Sequence, residues 1–142
     1  MKPLPEQLFN KIKNSDSDVQ KKYILAWAKY ELKMALLSIS DNRVDEILKN
    51  WNPYDFALLE NYYMANNCFL KEGQLLKNAD KLKDIPTTIV NGRYDVICPP
   101  ITAYKLHKKL PKSELFIVER AGHSANAEPL LSVLIDAIKK FE

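Results

Sequence analysis

Through the first 84 residues apolar positions recur every three to four, and one glycine, Gly73, interrupts them. That spacing predicts helices that each bury one side. Ser17-Asp18-Val19-Gln20 fits a capping box, in which the Ser hydroxyl accepts an early helix N–H and Gln20 reaches back. The helix that follows carries Val19, Tyr23, Trp27, Tyr30 and Met34 along one side. A short helix is expected after Asp41, with Val44, Ile47 and Leu48 facing inward. Asn52-Pro53 supplies a cap and then a proline at the first helical position, opening a helix through Tyr63.

From Ile85 the rhythm changes. Thr87-Thr88-Ile89-Val90 is short, β-branched and continuous, the pattern of a strand buried on both faces of a parallel sheet. Ile101 to Leu110 reads as helix, and Glu114-Leu115-Phe116-Ile117-Val118 as a second strand. Pro129 opens a last amphipathic helix, with Leu130, Leu134, Ala137, Ile138 and Phe141 on its buried side. The pattern divides the chain into a helical segment, 1–84, and a β-α-β-α segment, 85–142, which right-handed crossovers fold into a parallel layer. The fold class expected is α/β. Two parallel strands leave both sheet edges open, and three or more are normally needed for stability. The expectation is that this chain docks on more sheet or is a piece of something larger.

Composition narrows the functions. The chain has 142 residues, 46% hydrophobic and 27% charged, within the range of one ordinary globular domain. Its net charge of +3 is spread along the chain, and 18 of the 21 basic residues are Lys, against a nucleic-acid face built on Arg forks. No apolar run approaches the roughly 20 residues of a membrane span, and the start, Met1-Lys2-Pro3-Leu4-Pro5, has no leader-like apolar region. Cys68 and Cys98 lack zinc-type spacing and lie far apart, so a reduced, cytoplasmic protein without a bound metal is expected.

The remaining two glycines mark the chemistry. Asn91-Gly92-Arg93-Tyr94-Asp95 follows the first strand, and Ala121-Gly122-His123-Ser124 follows the second. Catalytic groups in open α/β sheets collect beyond the carboxyl ends of strands, and glycine permits a sharp turn there. An acid after one strand and a His after the next lets a carboxylate accept from imidazole Nδ1–H, which fixes the tautomer that leaves Nε2 basic. Either residue alone has a plainer explanation, Asp95 as a turn cap and His123 as a surface residue. Their placement at consecutive strand ends, acid before His, is the triad order of α/β-hydrolases and favours the catalytic reading.

Longer stretches carry a resemblance. Ala57-Leu58-Leu59-Glu60-Asn61-Tyr62-Tyr63, Ile85 through Pro99, and Ala121-Gly122-His123-Ser124-Ala125 resemble stretches of the proline iminopeptidases, an α/β-hydrolase family. So does Ala26-Trp27-Ala28-Lys29-Tyr30-Glu31, where the family usually shows a tryptophan pair followed by Glu. The similarity runs from about Leu8 to Phe141 but covers only about the second half of a family member. It implies the C-terminal part of an α/β-hydrolase core preceded by a helical cap, with Asp95 as triad acid and His123 as general base. It also implies that Glu31 and Glu60 hold the free amine of a peptide substrate beginning with proline; without it, both would read as solvent-facing helix residues. No metal or organic cofactor is implied. Cys98, three residues past the acid, is expected near the site as a small buried hydrophobe whose alkylation would block activity by bulk. His107, among Lys105, Lys108 and Lys109, reads as surface.

One departure matters. A hydrolase nucleophile sits in G-x-S-x-G, where small neighbours let a strained turn expose the Ser. Of the seven serines, at 15, 17, 38, 40, 113, 124 and 132, only Ser124 has a Gly two residues before it, and Asn126 stands where the second is needed. The nucleophile and oxyanion hole are therefore expected in a missing N-terminal half, and the isolated chain is expected to be inactive. The alternative is a non-catalytic binding module derived from a hydrolase, with the triad residues as relics; a helical nucleic-acid adaptor has little support.

Overall fold

The computed structural model describes residues 4–141. Met1–Pro3, part of the start expected to lack a leader-like apolar region, and Glu142 lie outside them. The described chain forms seven α-helices and two strands, falling into two compact units. The first runs through Lys33 and resumes from Ile39 to Glu72; the second takes Met34–Ser38 and everything from Gly73 onward.

The first unit holds helices α1 (Leu4–Asn14), α2 (Ser17–Ala35, whose last two residues join the second unit), α3 (Asp41–Lys49) and α4 (Tyr54–Ala65). The cap of α2 is one residue earlier than the capping box places it: Asp16 Oδ1 accepts the Val19 N–H at 3.0 Å. Gln20 instead donates to the Ile12 carbonyl at 2.6 Å, tying α2 to the end of α1. Asp and Ser cap about equally well, and at this position the carboxylate also places a full negative charge at the positive end of the helix dipole. The buried stripe of α2 is also rotated from the expected one. Ile24 and Ala28 are fully inside, while Tyr30 is 52% exposed. Ile12, Ile24 and Ala57 form the core, flanked by Tyr23, Trp27, Tyr54 and Leu58. Helix α3 is capped by Ser40 and buries Val44. Helix α4 starts one residue later than expected: Pro53 stands at the cap position rather than the first helical one, and Asn52 Oδ1 accepts the Tyr54 N–H at 3.2 Å from just outside the helix.

After α4, Asn67, Cys68 and Phe69 all take positive φ, near 50–57°. This left-handed turn costs non-glycine residues about 1–2 kcal/mol each. The Phe69 ring, 5.5 Å from Tyr62 and 5.4 Å from Tyr63, offsets part of that cost.

In the second unit, strands β1 (Thr87–Gly92) and β2 (Ser113–Val118) pair in parallel, Thr87 opposite Ser113 and Gly92 opposite Val118. They are joined by helix α6 (Pro100–His107), preceded by a short helix α5 (Gln74–Lys77) and followed by α7 (Leu130–Lys139). Val118, Ala121 and Leu130 form its core, against Val90, Val133 and Leu134. Three expectations need correcting. Thr87–Val90 is half-buried rather than enclosed, because β1 has one paired edge among the described residues. Ile138 and Phe141 are 63% and 60% exposed, so of the expected stripe only Leu130, Leu134 and Ala137 face inward. His107 is half-buried, not surface, with Nδ1 2.8 Å from Ser113 Oγ, because the end of α6 closes over the start of β2.

Candidate functional site

The two strands end side by side, and their outgoing loops are laced together. Arg93 N–H donates to the Val118 carbonyl and Tyr94 N–H to that of Ala121, both at 2.9 Å. A Cβ on Gly92 would lie 2.0 Å from the Gly122 carbonyl oxygen and 2.6 Å from that of Ala121. Position 92 is glycine because another backbone crosses over it; the sharp turn expected there does not put it at positive φ. The positive φ in this region belongs to Arg120, at 56°.

This lacing brings Asp95 and His123 together. Asp95 is 7% exposed, and its carboxylate is fully engaged. Oδ1 accepts the N–H groups of Ile97 (3.0 Å) and Cys98 (2.7 Å), while Oδ2 lies 3.0 Å from His123 Nδ1. Bonds of this kind to a charged group contribute about 1.5–3 kcal/mol each and offset the burial of the carboxylate. A carboxylate only accepts, so Nδ1 must donate. The neutral imidazole of His123 thus carries its proton on Nδ1, on a side chain that is 39% exposed. The loop beyond Asp95 is closed by Asn91, whose Nδ2 donates to the Cys98 carbonyl at 3.3 Å.

On the far side of the His loop, the N–H groups of His123 (3.0 Å) and Ser124 (2.9 Å) both donate to the Ala35 carbonyl. Sequence reasoning missed this anchor, and nothing in the spacing of position 35 signals it. Cys98 does sit beside the acid, through its N–H, but it is solvent-exposed rather than a buried hydrophobe. Partial desolvation, and then the negative charge of Asp95, push its thiol above the ordinary 9.0.

In the first unit, Trp27 Nε1–H donates to Glu60 Oε2 at 2.7 Å, and the Trp27 and Tyr30 rings lie 5.5 Å apart. Trp27, which its residue type alone would assign to the core, therefore orients a carboxylate. Glu31 lies one helical turn beyond Trp27 on α2, and both glutamates are half-buried. The structure thus pairs Asp95 with His123 and Glu60 with Trp27, each within its own unit. Among the described residues no cluster of His, Cys, Asp or Glu is placed to hold a metal ion, and no helix is long and apolar enough to cross a membrane.

Parallel strands joined by a helix, with an acid–imidazole pair just past their carboxyl ends, are the architecture of an α/β-hydrolase C-terminal region. The chain belongs to the α/β-hydrolase family described as TAP-like protein, whose model matches residues 60–136. Its relatives are proline iminopeptidases. It is 37% identical to the probable proline iminopeptidase of Leptolyngbya boryana over 134 residues, which is 94% of this chain and 42% of the relative. It is also 37% identical to the proline iminopeptidase of Arabidopsis thaliana over 140 residues, 98% of this chain and 37% of the relative. The enzyme of Neisseria gonorrhoeae is 35% identical over 127 residues, 89% of this chain and 39% of the relative. The chain spans about two fifths of the length of the curated relatives it matches.

Proposed function

We propose that this chain supplies the acid, the general base and the amine-binding carboxylates of a serine peptidase that releases N-terminal proline, and that the nucleophile comes from polypeptide outside these 142 residues. The observation that carries this reading is the buried Asp95 carboxylate, with one oxygen saturated by two backbone N–H groups and the other 3.0 Å from His123 Nδ1. A surface ion pair would not be built this way, since only one orientation of the carboxylate satisfies all three donors.

In the proposed reaction, a serine hydroxyl from the complementary polypeptide passes its proton to His123 Nε2 as its oxygen bonds to the prolyl carbonyl carbon. Asp95 stays ionised and stabilises the imidazolium. The imidazolium then protonates the leaving amine as the C–N bond breaks, leaving a prolyl ester. Water, deprotonated by the same Nε2, attacks that ester, and proline departs as the serine recovers its proton. Glu60, oriented by Trp27, and Glu31 supply countercharge for the substrate's cationic secondary amine, which an exopeptidase must recognise.

The test is complementation. The 142-residue chain alone should not release arylamine from a proline arylamide. Mixed or co-expressed with the N-terminal portion of a relative that carries G-x-S-x-G, it should, and His123→Ala should abolish the gain. A mixture that associates yet stays inactive would favour a non-catalytic interaction module instead; turnover by the chain alone near that of a complete enzyme would refute the missing nucleophile.

A further inference from the structure

We propose that Met34–Ser38 is a positioning strap for the base loop, with the Ala35 carbonyl as its holding group and Gly122 as the gap that admits it. The inference rests on the reading of His123 as general base. Three observations within the second unit carry it. First, one oxygen, that of Ala35, accepts from two consecutive N–H groups, those of His123 and Ser124, at 3.0 and 2.9 Å. Two bonds converging on one acceptor fix both the position and the tilt of the peptide that carries the imidazole.

Second, the approach is close enough to favour a glycine. A Cβ at Gly122 would lie 3.0 Å from the Ala35 oxygen and 3.3 Å from the Leu37 nitrogen, both backbone atoms of the strap that no rotamer change can move aside. The φ of Gly122 lies outside the left-handed range, so clearance for the strap is the demand on this position. On its other side the Gly122 carbonyl lies over Gly92. The loop is thus clamped between the end of β1 and the strap.

Third, the strap beyond the helix end is loosely packed. A cavity of about 230 Å³ is lined by Leu36, Leu37, Ser124 and Ala127 among others, and Leu37 is 54% exposed. Ala35 ends helix α2, so its carbonyl is a fixed point from which the two hydrogen bonds hold the loop, whereas the side chains beyond it have open space beside them. The 3.0 Å contact between Nδ1 and Asp95 has little tolerance, because a hydrogen bond weakens steeply once stretched past about 3.5 Å. Ala35 is therefore a positioning residue, acting on the imidazole through the backbone.

NMR on the 142-residue chain in a His107→Gln background, which leaves a single imidazole, tests this. Through-hydrogen-bond scalar couplings should connect the Ala35 carbonyl carbon to the amide nitrogens of both His123 and Ser124, and the ring nitrogen shifts should report the Nδ1–H tautomer. Gly122→Ala should erase both couplings, speed exchange of the two amides about tenfold or more, the equivalent of one lost hydrogen bond, and lower the Nδ1–H population. Leu37→Gly loosens the strap with no new atom at position 122 and should do the same to a smaller extent; it decides the matter alone should Gly122→Ala not fold. Couplings absent from the parent chain would overturn the proposal. So would variants that lose the couplings yet keep the tautomer, which would make the strap merely structural. Peptidase activity enters none of these readouts, so failure here and failure of complementation are separable.

Discussion

Asp95→Asn separates orientation from mere proximity. The two N–H groups of Ile97 and Cys98, at 3.0 and 2.7 Å, both demand an acceptor, so the carboxamide must place its oxygen where Oδ1 now sits. Its NH₂ then occupies the Oδ2 position, 3.0 Å from His123 Nδ1. Two donors cannot face each other, so Nδ1 must give up its proton and Nε2 must carry it. The base is then blocked at the atom it needs. A change of this kind lowers turnover by about 10⁴-fold in a Ser-His-Asp system, which is the loss expected in the complemented enzyme. Replacing a charged acceptor by a neutral one weakens both backbone bonds, for a stability cost of about 1–3 kcal/mol in urea unfolding. Ring ¹⁵N shifts of His123 in the isolated chain give the direct answer. A folded Asp95→Asn variant that still shows the Nδ1–H form would refute the hydrogen-bond reasoning.

Cys98 should react with iodoacetamide at neutral pH more slowly than an unperturbed thiol, and Asp95→Asn should speed it by removing the second of its two causes. Because the folded chain holds that proton more tightly than the unfolded one, the thiol's share of stability is present below 9.0 and declines as pH rises through the folded value, visible in melts across that range. Gly92→Ala should cost at least about 3 kcal/mol in urea unfolding, since its Cβ meets backbone oxygens that no rotamer change can relieve; a near-neutral change would mean the loops can part. Asn61 is fully buried, donates to the Ala57 carbonyl at 2.9 Å and leaves Oδ1 without a partner. Asn61→Leu should therefore raise stability by about 1 kcal/mol or leave it unchanged; a loss well beyond 1 kcal/mol would show that the amide is satisfied in solution.

The strands, the crossover helix and the Asp95–His123 pair were legible because each rests on local signals: β-branched runs, glycines at strand ends, and acid before imidazole. What escaped the sequence depends on long-range geometry. The Ala35 carbonyl belongs to a residue without side-chain chemistry, so no pattern marks it. The Trp27–Glu60 bond spans 33 positions and two helices, and only the family resemblance raised either residue above the plain reading. The rotated stripe on α2 reflects competition among aromatic residues that a periodicity count cannot rank. Tyr30 stays half exposed while the smaller Ala28 goes fully inside. The exposed end of α7 has a similar origin, because periodicity shows which side is apolar but not whether a neighbour covers it.

The parallel alignment of β1 and β2 also works as a vernier. Paired residues are 26 positions apart, as Thr87 and Ser113 are, and the acid and imidazole are 28 apart. Sliding one strand by a single position would displace the imidazole by about 3.3 Å and turn alternate side chains to the opposite face. The Asp95–His123 contact would be lost although both residues remained. A drift in this alignment would thus register as a parted acid–imidazole pair before it registered as a lost fold.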